Sequence, residues 1–377
     1  MSAPRPHIPR ILFAGGGTGG HVYPAIAIAD AVRDMEPAAS IAFVGTRERI
    51  EWIAVPKAGY PIHPITVSGF YRKLDARNLT FPWKLFKGLT ESWSLVGAFD
   101  PDVVVGTGGF VSGPVLWTAG MRGRRTLIQE QNAYAGMTNR LLGKRADRIH
   151  IAFPEAARYF PGGRCTLTGN PVRASLTETT RSEARASLGI PDDAEVLFLF
   201  GGSLGSRALN DAMSASVATL LEAPDRFILW QTGPRYFDEI RPAVEHDRLR
   251  LMAFVDRMDW AYAAADLVVC RSGAITCSEL MATGSAALLV PSKNVAEDHQ
   301  TKNAASLVAR DAAAMLAEND LGELVSTIEA LFKDPKRLEQ MSEAVKLLAR
   351  PNAASEIARD VLALAMDEAL NPVEVSP

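Results

Sequence analysis

Arg271-Ser272-Gly273, followed by Glu279, is the grouping best suited to hold a phosphorylated ligand. An apolar run, Leu267-Val268-Val269, leads into it, and Ile275, Glu279 and Leu280 follow at helical spacing. The pattern predicts strand, tight turn, helix. The first helical turn has backbone N–H groups without intrahelical acceptors and the positive end of the helix dipole, which shapes it for an anion. Glu279 lies too deep to cap that helix and would repel a phosphate at close range. A carboxylate one turn beyond an anion site suits the two hydroxyls of a ribose, as in dinucleotide sites. On this stretch alone, a carboxylate that only complements the dipole from the solvent side is an equal reading.

A second grouping follows the strand predicted at 10–14: Gly15-Gly16-Gly17-Thr18-Gly19-Gly20-His21, then a small-residue helix over 24–32. Gly15, Gly17 and Gly20 satisfy G-x-G-x-x-G. A dinucleotide site also needs an acidic residue ending the next strand, and the strand at 41–44 ends in Gly45-Thr46-Arg47 instead, which argues against NAD. The glycines still let backbone approach a bulky anion, with Thr18 and His21 as side-chain donors. Imidazole exchanges its proton near neutral pH, so His21 is a candidate general base; capping the following helix or binding phosphate are its other readings. The run Val103-Val104-Val105 ends in a further glycine loop over 106–114, GTGGFVSGP. For either loop alone, glycines placed for tight packing are the competing reading.

The elements needed to position these groups are legible. Strands at 61–67, 102–107, 126–129 and 148–152 alternate with helices, which predicts a parallel sheet. A polar stretch from Cys165 through Arg185 reads as a linker. The alternation restarts at 196–200 with the loop Gly201-Gly202-Ser203-Leu204-Gly205-Ser206 and a helix at 208–221. Strands at 227–231, 249–254, 267–270 and 286–291 follow, with helices near 297–308, 321–332 and 335–348. A last helix at 353–370 could pack on either domain, and 371–377 reads as a loose tail. The expected fold class is α/β, two Rossmann-like domains whose parallel sheets face each other across a cleft. Expected boundaries are 1–172, 173–350 and a C-terminal helix and tail over 351–377. In that arrangement 15–21 and 106–114 line one wall, 201–206 and 271–279 the other.

Composition narrows the partners. The chain has 377 residues and net charge −3, room for two or three domains and no excess basic charge for a nucleic-acid binder. Cys165, Cys270 and Cys277 lack C-x-x-C spacing, which suggests neither a disulfide framework nor a zinc site and fits a reducing cytoplasm. Asp100-Pro101-Asp102 is the only D-x-D and reads as a turn, so no metal is expected. The N-terminus leads directly into a strand rather than a signal-peptide core, so no export is expected. With no apolar run of about 18 residues, membrane contact would be peripheral.

The stretch at 67–93 is unusual. After Thr80 and Pro82, which mark a helix start, Trp83, Phe86 and Leu89 recur at three-residue spacing beside Lys84 and Lys87. Phe70, Tyr71, Arg72, Lys73, Arg77 and Leu79 lie upstream. An amphipathic helix with a core-facing stripe is the simpler reading; an interfacial helix, with aromatics at headgroup depth and lysines on anionic lipid, is the sharper one.

Read together and in order, GGGTGGH (15–21), GTGGFVSGP (106–114), EQNAYAGMTNR (130–140), GNPVR (169–173), GGSLGS (201–206), FVDRM (254–258), RSGAITCSE (271–279) and DHQ (298–300) resemble the MurG family. These are the UDP-N-acetylglucosamine (UDP-GlcNAc):undecaprenyl-pyrophosphoryl-muramoyl-pentapeptide N-acetylglucosaminyltransferases of bacterial peptidoglycan synthesis. The resemblance runs from Arg10 to about Leu307. It implies a GT-B fold and inverting transfer of GlcNAc to the muramoyl 4-hydroxyl of lipid I, with no cofactor.

On the family pattern, Glu279 takes the ribose, the Val255 backbone the uracil edge, Ser203 and Arg173 the diphosphate, and Asn132 and Gln300 the GlcNAc hydroxyls. Ala274 joins the donor set, as do Thr18, Gly19 and Gly20 beside the reacting centre. Gly16, Gly17, His21, Gly108, Gly109 and Ser112 would meet the acceptor, with His21 as base. Where the family often carries Gln-Gln near the sugar, this chain has His299-Gln300.

The lipid acceptor makes Leu79, Trp83, Phe86, Leu89 and Trp117, with Lys84 and Lys87, the expected dock on an anionic membrane surface. That places the protein peripherally on the cytoplasmic face of the plasma (inner) membrane. The implied partners are UDP-GlcNAc, the lipid-linked MurNAc-pentapeptide and other cell-wall synthesis proteins, with no nucleic acid. A UDP-sugar epimerase, a soluble-acceptor glycosyltransferase and a non-catalytic nucleotide-sugar sensor are the alternatives.

Overall fold

The computed structural model describes residues 7–68 and 80–368. The chain divides into two compact units, Met1–Pro171 with Asn352–Pro377, and Val172–Pro351.

Among the described residues the first unit has seven strands: β1 (Arg10–Gly15), β2 (Ser40–Gly45), β3 (Ile62–Pro64), β4 (Val103–Gly108), β5 (Arg125–Glu130), β6 (Arg148–Ile151) and β7 (Cys165–Leu167). They pair in the order β3-β2-β1-β4-β5-β6-β7, all parallel. Near-continuous apolar runs such as Ile11-Leu12-Phe13-Ala14 are what a sheet covered on both faces requires, and all four are fully buried. Alternate residues serve opposite faces. Ile11, Phe13, Val103 and Val105 pack with the helices Gly19–Met35 and Ala353–Ala365, whereas Leu12, Ala14 and Val104 pack with Gly109–Met121.

The helix Ala353–Ala365 therefore belongs to the first unit's core, through Ile357, Ala358, Val361 and Leu364. Arg148 Nε donates to Asp360 Oδ2 at 2.7 Å, and both side chains are 5% exposed; His150 Nε2 lies 3.3 Å from the same oxygen. Burial by itself would raise the Asp360 pKa, but His150 and Arg148 outweigh it and hold the carboxyl below its ordinary value. A carboxylate depressed in this way adds stability above its unfolded pKa and loses it as pH falls through the folded value. Asp360→Ala breaks this buried ion pair and is expected to cost about 3–5 kcal/mol. Urea unfolding at neutral pH measures it, and an unchanged midpoint would show that the pair does not hold the helix.

The second unit has β8 (Glu195–Phe200), β9 (Arg226–Gln231), β10 (Leu249–Met252), β11 (Leu267–Cys270), β12 (Ala287–Leu289) and β13 (Ala314–Met315), in the order β10-β9-β8-β11-β12-β13, again all parallel. Three features differ from the sequence reading. The helix after β1 starts at Gly19, with Pro24 inside it rather than at its start; Pro24 lacks only the N–H that would have bonded the exposed Gly20. The stretch read as linker holds the edge strand β7 and the helix Arg181–Leu188, whose Thr180/Glu183 capping box is present in both directions. The T-x-x-E spacing at 180–183 was the available signal. β13 is only two residues long, too short to leave a periodic pattern.

Candidate functional site

Ligands of open parallel sheets bind outside the carboxyl ends of the strands where strand order reverses. In the first sheet that point lies between β1 and β4, and in the second between β8 and β11. The four glycine-bearing loops singled out in the sequence are the loops that follow these four strands.

In the first unit the two loops interlock. Gly109 (φ 78°) packs so tightly that a Cβ there would overlap Gly16 O, and a Cβ on Gly108 (φ 102°) would come within 2.9 Å of His21 Nδ1. Both the backbone conformation and the space demand glycine. Ser112 is fully buried; its Oγ donates to Ala14 O at 2.6 Å and accepts from Gly108 N at 3.1 Å, so its side chain braces the loop rather than facing a ligand. Gly17 N donates to Glu51 Oε2 at 3.0 Å, and Thr46 N and Oγ1 donate to Glu51 Oε1 at 3.1 and 2.7 Å. The helix Gly19–Met35 begins after Thr18 with no side-chain cap and no acidic residue in its first turn, so no side chain of its own offsets its positive end. Thr18 and Gly20 are exposed there. His21 Nδ1 lies 2.9 Å from Gln131 Oε1.

Asn132, from the loop after β5, donates from both N and Nδ2 to Glu130 Oε1 at 3.0 and 3.3 Å. Glu130 Oε2 accepts from Gly136 N at 3.0 Å and Asn139 Nδ2 at 2.8 Å, so this buried carboxylate shapes the whole 131–136 turn. Glu51, Glu130 and Gln131 received no role from sequence. Gln131 and Glu130 sit inside a quoted motif, and that was their only signal.

In the second unit, Gly205 (φ 75°) lies against Thr232 O with no room for a side chain, and Ser203 of the same 201–206 loop is exposed. Ser206 Oγ accepts from Arg271 Nη2 at 2.7 Å; Arg271 Nη1 donates to Val290 O at 3.0 Å and its guanidinium also pairs with Glu318. Arg271 thus ties the two loops together. The helix Ala274–Thr283 starts after Gly273 without a side-chain cap or an acidic residue in its first turn. Glu279, one of its inward residues, has a side chain only 14% exposed. Tyr262 Oη donates to Glu279 Oε2 at 3.0 Å, and Arg173 Nη2 is 3.9 Å from Oε1, with the arginine 63% exposed. Burial pushes the Glu279 pKa up; the Tyr262 bond and then Arg173 oppose it. A solvent-facing carboxylate complementing the dipole would have none of this burial.

Val255 N donates to Gln231 Oε1 at 3.1 Å, and Gln231 Nε2 donates to Gly202 O at 2.9 Å. Of the Val255 backbone, only the carbonyl is left for a ligand's donor. Gln300 Oε1 accepts from Ser292 N at 2.8 Å, which leaves its Nε2 to donate. The neighbouring His299 opens the helix His299–Val308.

Trp83 and Phe86 are 67% and 60% exposed and their rings stand 6.4 Å apart, while the buried stripe of their helix, Phe81–Phe99, is Gly88, Ser92 and Val96. That overturns the core-stripe reading. Lys87 is exposed, Lys84 and Leu89 are half-buried, and Trp117, on the adjacent helix, is 46% exposed. Leu79, Phe70, Tyr71, Arg72, Lys73 and Arg77 lie outside the described residues. Among the described residues no helix is long and apolar enough to cross a membrane.

Residues 11–151 match the glycosyltransferase family 28 N-terminal domain and residues 196–357 the family 28 C-terminal domain. The chain is 54% identical, over 97% of its length and 98% of the relative's, to the UDP-N-acetylglucosamine–N-acetylmuramyl-(pentapeptide) pyrophosphoryl-undecaprenol N-acetylglucosamine transferase of Salinibacter ruber. A protein of the same name from Flavobacterium psychrophilum is 42% identical over 94% of this chain and 97% of its own. Among solved structures, MurG of Acinetobacter baumannii superposes with a TM-score of 0.77 at 28% identity, covering 94% of this chain and 99% of that one. The fold is GT-B.

Proposed function

The chain belongs to glycosyltransferase family 28, and on that premise we propose that it transfers GlcNAc from UDP-GlcNAc to the 4-hydroxyl of a MurNAc-pentapeptide carried on pyrophosphoryl-undecaprenol, converting lipid I to lipid II. The observation that carries this reading is the match at 54% identity over 97% of the chain to a transferase of that name. An epimerase, a soluble-acceptor transferase or a sensor has no comparable support.

In this reading Glu279 accepts hydrogen bonds from the two ribose hydroxyls and the Val255 carbonyl accepts from uracil N3–H. Ser203, Arg173 and the first turn at Ala274 hold the diphosphate. Gln300 Nε2 donates to a GlcNAc hydroxyl, with Asn132 as a second sugar contact. The acceptor's pyrophosphate lies against the loops bearing Gly16, Gly17, Gly108 and Gly109, beside Thr18, Gly19 and Gly20. His21 removes the proton of the 4-hydroxyl as its oxygen attacks the anomeric carbon from the face opposite UDP, which inverts α to β. Negative charge then grows on the departing diphosphate, where preorganised amides and Arg173 stabilise it more than in the ground state. Incubation with UDP-GlcNAc and a short-chain lipid I analogue should release UDP and form the β-linked disaccharide. Binding of UDP-GlcNAc without UDP release would leave the sensor.

A lipid-borne acceptor calls for a docking surface, and the exposed Trp83, Phe86 and Trp117 beside Lys84 and Lys87 have the chemistry for one. The location that follows is peripheral, on the cytoplasmic face of the inner membrane. Trp83→Glu combined with Phe86→Glu is expected to abolish sedimentation with anionic liposomes while turnover of a water-soluble acceptor analogue persists. Undiminished liposome binding would move the dock elsewhere.

A further inference from the structure

Beneath the loop that carries His21 runs a chain of buried carboxamides. Gln129, Gln131 and Asn170 are 0%, 2% and 2% exposed. Gln129 Nε2 donates to Asn170 Oδ1 at 2.8 Å, and Gln131 Nε2 donates to Thr107 O at 2.7 Å and also meets Gln129 O, at 3.0 Å, and Gln129 Oε1. Asn170 Nδ2 closes the chain by donating to Gln131 O at 3.0 Å.

Every one of these bonds runs the same way, and backbone carbonyls fix the direction. An amide nitrogen only donates and an amide oxygen only accepts. Reversing Gln131 would set its oxygen against the carbonyls of Thr107 and Gln129; reversing Asn170 would set its oxygen against Gln131 O. The atom beside His21 Nδ1 must therefore be Gln131 Oε1, at 2.9 Å, and it can only accept. Nδ1 carries the hydrogen, so the neutral ring has its lone pair on Nε2, which has no protein partner among the described residues. A side chain at 108 would disturb this, since its Cβ would sit 2.9 Å from His21 Nδ1 and 3.6 Å from Gln131 Oε1.

We infer that Gln131 is a positioning residue that holds His21 in the Nδ1–H tautomer, with Asn170 and Gln129 fixing the direction of Gln131. The inference rests on the reading of His21 as base and deepens it: the ring is held with its proton-accepting nitrogen available before substrate arrives. It also gives Asn170 of the GNPVR segment a role without any ligand contact.

Nitrogen-detected NMR of the full chain labelled at histidine reads the tautomer directly, with His21 assigned by the signal lost in His21→Ala. The wild-type ring should show a protonated Nδ1 and an unprotonated Nε2. In Gln131→Met, close in shape but unable to accept this hydrogen bond, the ring should move toward the Nε2–H form that free imidazole prefers. Its kcat should fall about tenfold, the factor one neutral hydrogen bond of ordinary strength carries, with KM for UDP-GlcNAc unchanged. A wild-type ring protonated on Nε2, or a Gln131→Met ring still protonated on Nδ1, overturns the inference; the wild-type spectrum decides even if the variant does not fold. Should His21→Ala keep full kcat, the base reading falls while the spectra still decide the tautomer.

Discussion

Replacing His21 with alanine is expected to lower kcat by roughly 10²–10⁴-fold, the range a positioned general base contributes, while KM for UDP-GlcNAc stays near its wild-type value. The split follows from where the residue lies. His21 is in the first unit, on the first turn of the helix after β1, whereas the carboxylate assigned to the nucleotide, Glu279, belongs to the second. Removing an interaction that strengthens only in the transition state lowers kcat and kcat/KM together. A rise in KM with kcat preserved would make His21 a binding residue and return the loop to the phosphate-binding reading.

Glu279→Ala carries the second large effect and acts on the other constant. Hydrogen bonds to a charged group contribute about 1.5–3 kcal/mol, so KM for UDP-GlcNAc should rise by about 10–100-fold with a smaller change in kcat. The carboxylate must be ionised to accept from both ribose hydroxyls. Because burial raises the Glu279 pKa, donor binding should weaken as pH falls, starting above the ordinary carboxylate range. Tyr262 favours the charged form through its 3.0 Å bond, so Tyr262→Phe should move that weakening to still higher pH. Calorimetric titration with UDP-GlcNAc across pH measures both. An affinity unchanged in Glu279→Ala would remove the ribose assignment.

What could be read from sequence was set by what leaves a local signature. Parallel strands buried on both faces are continuous apolar runs, so β1, β4, β8 and β11 and the loops after them were legible, and those loops stand at the two points where strand order reverses. Thr180 and Glu183 also left a signature, in their spacing, yet the polar stretch around them read as linker. The environment of Glu279 was not legible, because Tyr262 reaches it from a different helix, Met258–Ala264. The same holds for Gln131, whose partners His21, Thr107 and Asn170 come from three distant places in the chain, with only Gln129 local. Trp83 and Phe86 could not be assigned to core or surface by periodicity, since a stripe at helical spacing looks the same in both. Only their exposure decided it.

In the proposed function the carboxyl end of the second sheet, between β8 and β11, is the nucleotide-sugar site on which every other assignment depends. A crystal structure of the chain soaked with UDP-GlcNAc tests it directly. The expected result is the ribose hydroxyls on Glu279, uracil N3–H on the Val255 carbonyl and the diphosphate against the first turn at Ala274 with Ser203. A nucleotide seated instead on the 15–21 loop, with Glu279 bonded to Tyr262 alone, would contradict it.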